Sequence, residues 1–259
     1  MEKKAIGVVS GKGGVGKSTI AVNLATLFTA SEIDNLLIDG DTSNPSVGLH
    51  LGIWQHSVGL QDVLAGKVSP EEAIVLHPAT GVRVIPSSLR YVKEVNMRNL
   101  RKVVNEVKAY KFVTIDSPPG LSDDVENIMQ SCNELVVVTT PDVPSVTSAM
   151  KIIDLAEEFR VPVAGLVVNR ILNKKYELHM KEIESMCNTR IIGKIPEDVR
   201  VPESIAVKVP VTLYTPKSPA SVAISQIAYE LCGERIRLPQ YRRGVISRVL
   251  DFFRSLLGR

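Results

Sequence analysis

The chain is poor in the residues that staple, chelate or span. Its three cysteines, Cys132, Cys187 and Cys232, are scattered through 259 residues, which leaves no CxxC pair for zinc or an iron–sulfur cluster and no disulfide framework. A reduced compartment is the simplest inference. His50, His56, His77 and His179 lack metal-ligand spacing and read as ordinary surface or core histidines. No apolar run reaches the length of about 18 residues that a membrane-spanning helix needs. Met1-Glu2-Lys3-Lys4 leads directly into an apolar segment, so no secretion signal is expected and the expected location is the cytoplasm.

What is present is enough apolar material for a full core, at 44% hydrophobic and 23% charged. The charge is unevenly placed. Residues 235–259 hold seven arginines against one acid, Asp251, which makes that segment +6 in a chain whose total is +3, so residues 1–234 are −3.

The richest motif is Gly11-Lys12-Gly13-Gly14-Val15-Gly16-Lys17-Ser18-Thr19. Before it, Ala5 to Ser10 reads as a buried strand; after it, Ile20, Val22, Leu24, Ala25, Leu27 and Phe28 recur at helical spacing. Strand, glycine loop and helix in that order make a nucleotide-binding P-loop. Its glycines let backbone N–H groups converge on one anion, and the helix N-terminus adds positive potential. Lys17 is placed to reach the β and γ phosphates of ATP, or the β-phosphate of ADP, and the Ser18 hydroxyl to take one position on Mg²⁺. Lys12 has no task in an ordinary P-loop, and a lysine seeks water or an anion.

The whole string resembles the deviant P-loop of the MinD/ParA family of ATPases. That resemblance implies that Lys12 reaches across a homodimer to the partner's ATP, so that the dimer assembles on ATP binding. It covers residues 1 to about 232 and is closest to the MinD branch, which Val58 to Gly66 and Gly81 to Pro86 also resemble. One departure is Ala30 to Asn35, which lacks the glycine turn expected before the second strand.

Further short Val- and Ile-rich runs follow at helix-length intervals: Asn35 to Ile38, Val82 to Ile85, Phe112 to Ile115, Leu135 to Thr139, Gly165 to Val168 and Ile191 to Ile195. They do not alternate with polar residues, as expected of strands covered on both faces. The expected fold is therefore α/β, a doubly wound, mainly parallel sheet of about seven to eight strands, with ligands at the carboxyl ends.

Function concentrates at those ends. Asp39 and Asp41 stand two residues apart at a strand exit. Two readings apply: caps for the following turn or helix, or, as the resemblance implies, a first switch in which Asp41 orients the attacking water and Asp39 supports the Mg²⁺ shell. Lys111 to Asp116 reads as a Walker B strand with Asp116 near the metal. Ser117-Pro118-Pro119-Gly120 resembles the second switch, with a Gly120 N–H for the γ-phosphate. Asn169-Arg170 and Pro196-Glu197-Asp198 resemble the family's adenine-binding elements, and an amide can pair with an adenine edge.

Beyond the expected ATPase domain, 1–234, lie a basic linker, 235–243, and a predicted helix, 244–259. There Ile246, Val249, Leu250, Phe253, Leu256 and Leu257 follow helical spacing, Val245 and Phe252 widen the stripe, and Arg248, Asp251, Arg254 and Ser255 take the other face. Such a stripe packs on its own domain or on an anionic membrane surface, and it resembles the membrane-targeting helix of MinD. The resemblance thus implies an ATPase that docks on the inner face of the cell membrane as an ATP dimer, is released by hydrolysis, and positions division or other polar machinery. An activating or cargo protein is expected, with the helix after Pro144 (Lys151, Asp154, Glu158) as its docking face. The rival readings are a ParA-like partition ATPase using the arginines on DNA, and a flagellar-number regulator. An Mrp-type iron–sulfur carrier is disfavoured by the missing cysteine pair.

Overall fold

The computed structural model describes residues 3–90, 92, 95–233 and 236–237. From the amino end the elements are β1 (Lys4–Val9), α1 (Lys17–Ala30), β2 (Asn35–Asp39), α2 (Val47–Leu51), α3 (Leu60–Leu64), β3 (Val75–Leu76) and β4 (Arg83–Ile85). Next come α4 (Leu100–Glu106), β5 (Phe112–Asp116), α5 (Asp123–Gln130), β6 (Glu134–Thr139), α6 (Val143–Glu158) and β7 (Val163–Ile171). The last are α7 (Met180–Cys187), β8 (Ile191–Pro196), α8 (Arg200–Ala206), α9 (Val211–Tyr214) and α10 (Pro219–Cys232).

The strands make one eight-stranded sheet in the order β3-β4-β2-β5-β1-β6-β7-β8. Every pairing is parallel except β3 with β4. Successive residues of one strand feed opposite layers: Ile6 and Val8 pack towards α1 and α10, while Ala5 and Val9 pack towards α3 to α7. Both faces are covered by helices, which is why these strands read as unbroken apolar runs. The ring of Phe28 stacks on Phe112 at 4.9 Å and fixes α1 over β5. Aromatic pairs of this kind contribute roughly 0.5–1.5 kcal/mol beyond their buried area.

The doubly wound α/β expectation holds, with three differences of detail. The antiparallel β3 was not foreseen; two residues carry no periodic signal. β1 begins and ends one residue before the predicted run. β7 continues past Val168 to Ile171, so Asn169 lies inside a strand rather than at its end. The missing glycine turn before β2 is supplied by Glu32, whose φ of 60° takes the left-handed conformation usually left to glycine.

Among the described residues no helix is long and apolar enough to cross a membrane. The predicted tail helix, with Val245, Ile246, Val249, Leu250, Phe252, Phe253, Leu256 and Leu257, lies outside the described residues, as does the boundary expected at 234.

Candidate nucleotide and cation site

The loop from Gly11 to Gly16 leaves β1 and enters α1 at Lys17, in the middle of the sheet. Gly14 and Gly16 have φ of 78° and 100°, so the loop turns its backbone by means that other residues reach only with strain. Gly16 has a second reason to be glycine: a Cβ there would stand 2.3 Å from Asn169 Nδ2. That amide donates to the Val15 carbonyl at 2.7 Å. Asn169 thus braces the end of the P-loop from β7. Gly16→Ala is expected to cost about 1–3 kcal/mol from backbone strain, and more where Asn169 is displaced. A denaturant midpoint and a nucleotide titration read the two effects; unchanged values in both would disprove the brace.

Lys17 is buried, and burial lowers its pKa, opposed by Asp116 and Asp41. Around it three carboxylates converge from two adjacent strands. Asp39 and Asp116 are register partners on β2 and β5, both fully buried. Asp39 Oδ2 accepts the Val47 N–H at 3.1 Å. Asp41 Oδ1 accepts the Ser43 hydroxyl at 2.9 Å and the Asn44 N–H at 2.8 Å. Both carboxylates therefore serve as caps for the following turn and helix, and the switch role implied by the resemblance draws on the same groups.

Burial raises Asp116 to about 7 and Asp39 well above the usual carboxylate range, with the neighbouring carboxylates adding to the effect. In each, Oδ1 is buried and without a hydrogen-bond partner among the described residues. Orphaned carboxylate oxygens beside the Ser18 hydroxyl form a hard, all-oxygen donor set, and a Mg²⁺ ion fits it. Asp116, Ser18 and Asp39, the three residues assigned to the metal from sequence, are brought together.

Sequence reasoning missed Ser46. Its hydroxyl donates to Ser18 Oγ at 2.6 Å, with Asp116 Oδ2 at 3.5 Å. Nothing in the string Ser43-Asn44-Pro45-Ser46 distinguishes this serine from a turn residue; only the return of the chain over the P-loop does. His50 was read as an ordinary histidine, yet its ring joins the Ser46 carbonyl and the Thr19 hydroxyl.

Gly120 has a φ of 94°, as its predicted turn requires, but its N–H is bonded within the chain, to the Ser10 carbonyl at 3.0 Å. A buried N–H takes the nearest acceptor; reaching a γ-phosphate requires an exchange of partner. Lys12 likewise lies within its own chain's reach, with Nζ 3.5 Å from Asp142 Oδ1. Asp142 caps α6 by accepting the Ser145 N–H at 3.0 Å.

On the other side of Gly16 a cavity of about 180 Å³ is lined by Thr19, Asn169, Arg170, Pro196, Glu197 and Asp198, together with Ile20, Val201, Pro202, Ile205 and other apolar residues. This unites all the predicted base-side residues and adds α8, which sequence reasoning had not placed there. Arg170 has a φ of 59° where the β7–β8 register shifts, and this local bulge turns the strand end. Asp198 is the exception among the base-side residues. Its carboxylate accepts the N–H groups of Arg200 at 3.1 Å and Ala220 at 3.3 Å, tying α8 to α10. Burial alone would raise its pKa, but those hydrogen bonds hold it below the usual value.

The sequence model of the ParA family, described as NUBPL iron-transfer P-loop NTPase, matches residues 2–232. The chain is 33% identical over 260 residues to an uncharacterized ATP-binding protein of Methanocaldococcus jannaschii, an alignment covering 98% of this chain and 97% of the other. It is 30% identical to the septum site-determining protein MinD of Thermotoga maritima, over 96% of this chain and 97% of that protein. Among solved structures it is similar to MinD from Pyrococcus horikoshii complexed with Mg-ADP. That likeness has a TM-score of 0.85 at 28% identity and covers 89% of this chain and 96% of that one.

Proposed function

The chain belongs to the ParA family of P-loop NTPases, and we propose that it is a MinD-like ATPase, cytoplasmic and reversibly peripheral on the inner face of the cell membrane. In this reading ATP closes a homodimer, the paired C-terminal segments dock on anionic lipid, and hydrolysis releases them. Positioning of division or other polar machinery is the corresponding cellular role.

The observation that carries the reading is Lys12. It stands half-exposed in the loop between β1 and α1, 3.5 Å from Asp142 Oδ1, whereas Lys17 at the other end of that loop is buried. A cation held by so exposed an ion pair can exchange that partner at little cost for a nucleotide held by a second copy.

The residues divide the chemistry between them. The P-loop backbone and Lys17 hold the phosphates. Asp41, already fixed by two hydrogen bonds, orients the attacking water. The Gly120 N–H leaves the Ser10 carbonyl for the γ-phosphate and returns once that phosphate is lost. Asn169 and the Pro196 loop border the base. Mg²⁺, held by Ser18 and Asp116 with Asp39 behind, would neutralise charge on the phosphate oxygens. Lys151, Asp154 and Glu158 are exposed on α6, which supports a docking face for an activating protein.

An iron-carrier reading finds little support, because Cys132, Cys187 and Cys232 are separate and buried or half-buried. The seven terminal arginines favour DNA as a second reading, with binding that weakens steeply in salt.

Sedimentation with anionic liposomes decides between them. The full chain is expected to pellet with a non-hydrolysable ATP analogue and not with ADP, and a chain ending at Tyr241 with neither. Nucleotide-independent or absent pelleting would turn the reading to DNA partition or a soluble regulator.

A further inference from the structure

We propose that Ser46 is a positioning residue for the cation of this site, and that His50 holds Ser46 in place and so ties the short helix α2 to the cation. The proposal rests on the Mg²⁺–nucleotide reading and goes beyond it, since neither residue belongs to the P-loop, the switch carboxylates or the Walker B strand.

The geometry is a closed set of contacts. Ser46 Oγ donates to Ser18 Oγ at 2.6 Å and lies 3.5 Å from Asp116 Oδ2, so one hydroxyl touches the two groups placed nearest the cation. Its backbone is fixed on both sides. The next residue, Val47, gives its N–H to Asp39 Oδ2 at 3.1 Å. The Ser46 carbonyl lies 2.8 Å from His50 Nδ1. A carbonyl only accepts, so Nδ1 carries the proton; Nε2 is then the acceptor for the Thr19 hydroxyl, 3.3 Å away. Ser46 and α2 are thus fastened to Ser18, Thr19 and Asp39.

A serine hydroxyl is a free rotor unless something orients it. By donating to Ser18 Oγ, Ser46 orients that hydroxyl and leaves its proton for the Asp116 carboxylate beside it. Groups that hold metal ligands from behind typically change metal affinity about 10- to 100-fold when removed. Trp54, the chain's single tryptophan, lies three residues past the end of α2 and is 40% exposed, so its emission is placed to report on this helix.

The test is ADP affinity by calorimetry in MgCl₂ and in EDTA, for the full chain and for Ser46→Ala, Ser46→Thr and His50→Ala, with Trp54 emission followed as Mg²⁺ is added to the ADP-bound protein. In the parent chain Mg²⁺ is expected to strengthen ADP binding and to shift the emission. Ser46→Ala is expected to lose about tenfold of that Mg²⁺-dependent gain, to keep its affinity in EDTA, and to lose the emission shift; Ser46→Thr restores both. His50→Ala is expected to lose the emission shift and part of the gain. An unchanged or larger gain in Ser46→Ala overturns the proposal. So does an equal loss in EDTA, which would mark a merely structural role. A parent chain with no Mg²⁺-dependent gain would instead overturn the Mg²⁺–nucleotide reading.

Discussion

Asp116→Asn is expected to stabilise the nucleotide-free protein at pH 8 and to remove the Mg²⁺ dependence of nucleotide binding. Asp116 is fully buried with one oxygen unpartnered among the described residues, and burial moves its pKa to about 7 from a usual 3.8. The folded protein therefore keeps a proton that the unfolded chain has already released between those two values. Stability is full below the unfolded value, falls as pH rises towards 7, and stays lowered above it. Asparagine carries no charge to bury and can turn its NH₂ towards Asp39. The gain at pH 8 is on the order of 3 kcal/mol, or roughly 5–10 °C in thermal midpoint for a domain of this size. The same substitution removes the anionic ligand, so ADP should bind equally in Mg²⁺ and in EDTA. Thermal melts from pH 5 to 8 test the first half. Parallel stability curves for the two proteins would show that the buried carboxylate is not under strain.

Lys12→Ala should have the opposite profile, leaving the monomer untouched and abolishing the ATP-dependent dimer. The Lys12–Asp142 pair is 3.5 Å long with both side chains about half exposed, at 50% and 45%. Pairs of that kind contribute less than about 1 kcal/mol, so folding should not register the loss. ATP binding is expected to persist, since Lys17 and the loop backbone remain. What disappears is the charge offered to a second copy. Two tails on one dimer gain roughly 10²- to 10⁴-fold in avidity over one, so liposome binding should fall by about that factor. Light scattering with a non-hydrolysable ATP analogue measures the dimer directly; a dimer of undiminished yield would remove Lys12 from the mechanism.

These two substitutions separate what was legible in the sequence from what was not. The P-loop could be read residue by residue, because a phosphate cradle is a local object: glycines for backbone conformation, one lysine and one hydroxyl, in a fixed order between a strand and a helix. The parallel sheet was legible for a similar reason. A strand covered on both faces must be apolar throughout, and β1, β2, β5, β6, β7 and β8 all carry that signal.

The short elements were less visible. β3 is too brief to show a period, and the turn into β2 uses Glu32 where glycine was expected. Asp198 lines the cavity beside Gly16 with the other residues expected at the base, but its carboxylate is engaged in joining α8 to α10, which is a matter of packing.

By itself, then, the sequence determined that this chain folds as a P-loop α/β ATPase domain, which amino acids line its phosphate loop, and that its last 25 residues are strongly basic. Those properties are written in consecutive residues. The tertiary structure alone decided that Asn169 braces Gly16 across more than 150 residues, that Lys12 pairs with Asp142, and that Ser46 and His50 close over Ser18 and Thr19. Each is a hydrogen bond or ion pair between distant parts of the chain, and no periodicity records which polar groups folding will bring within 3.5 Å of one another.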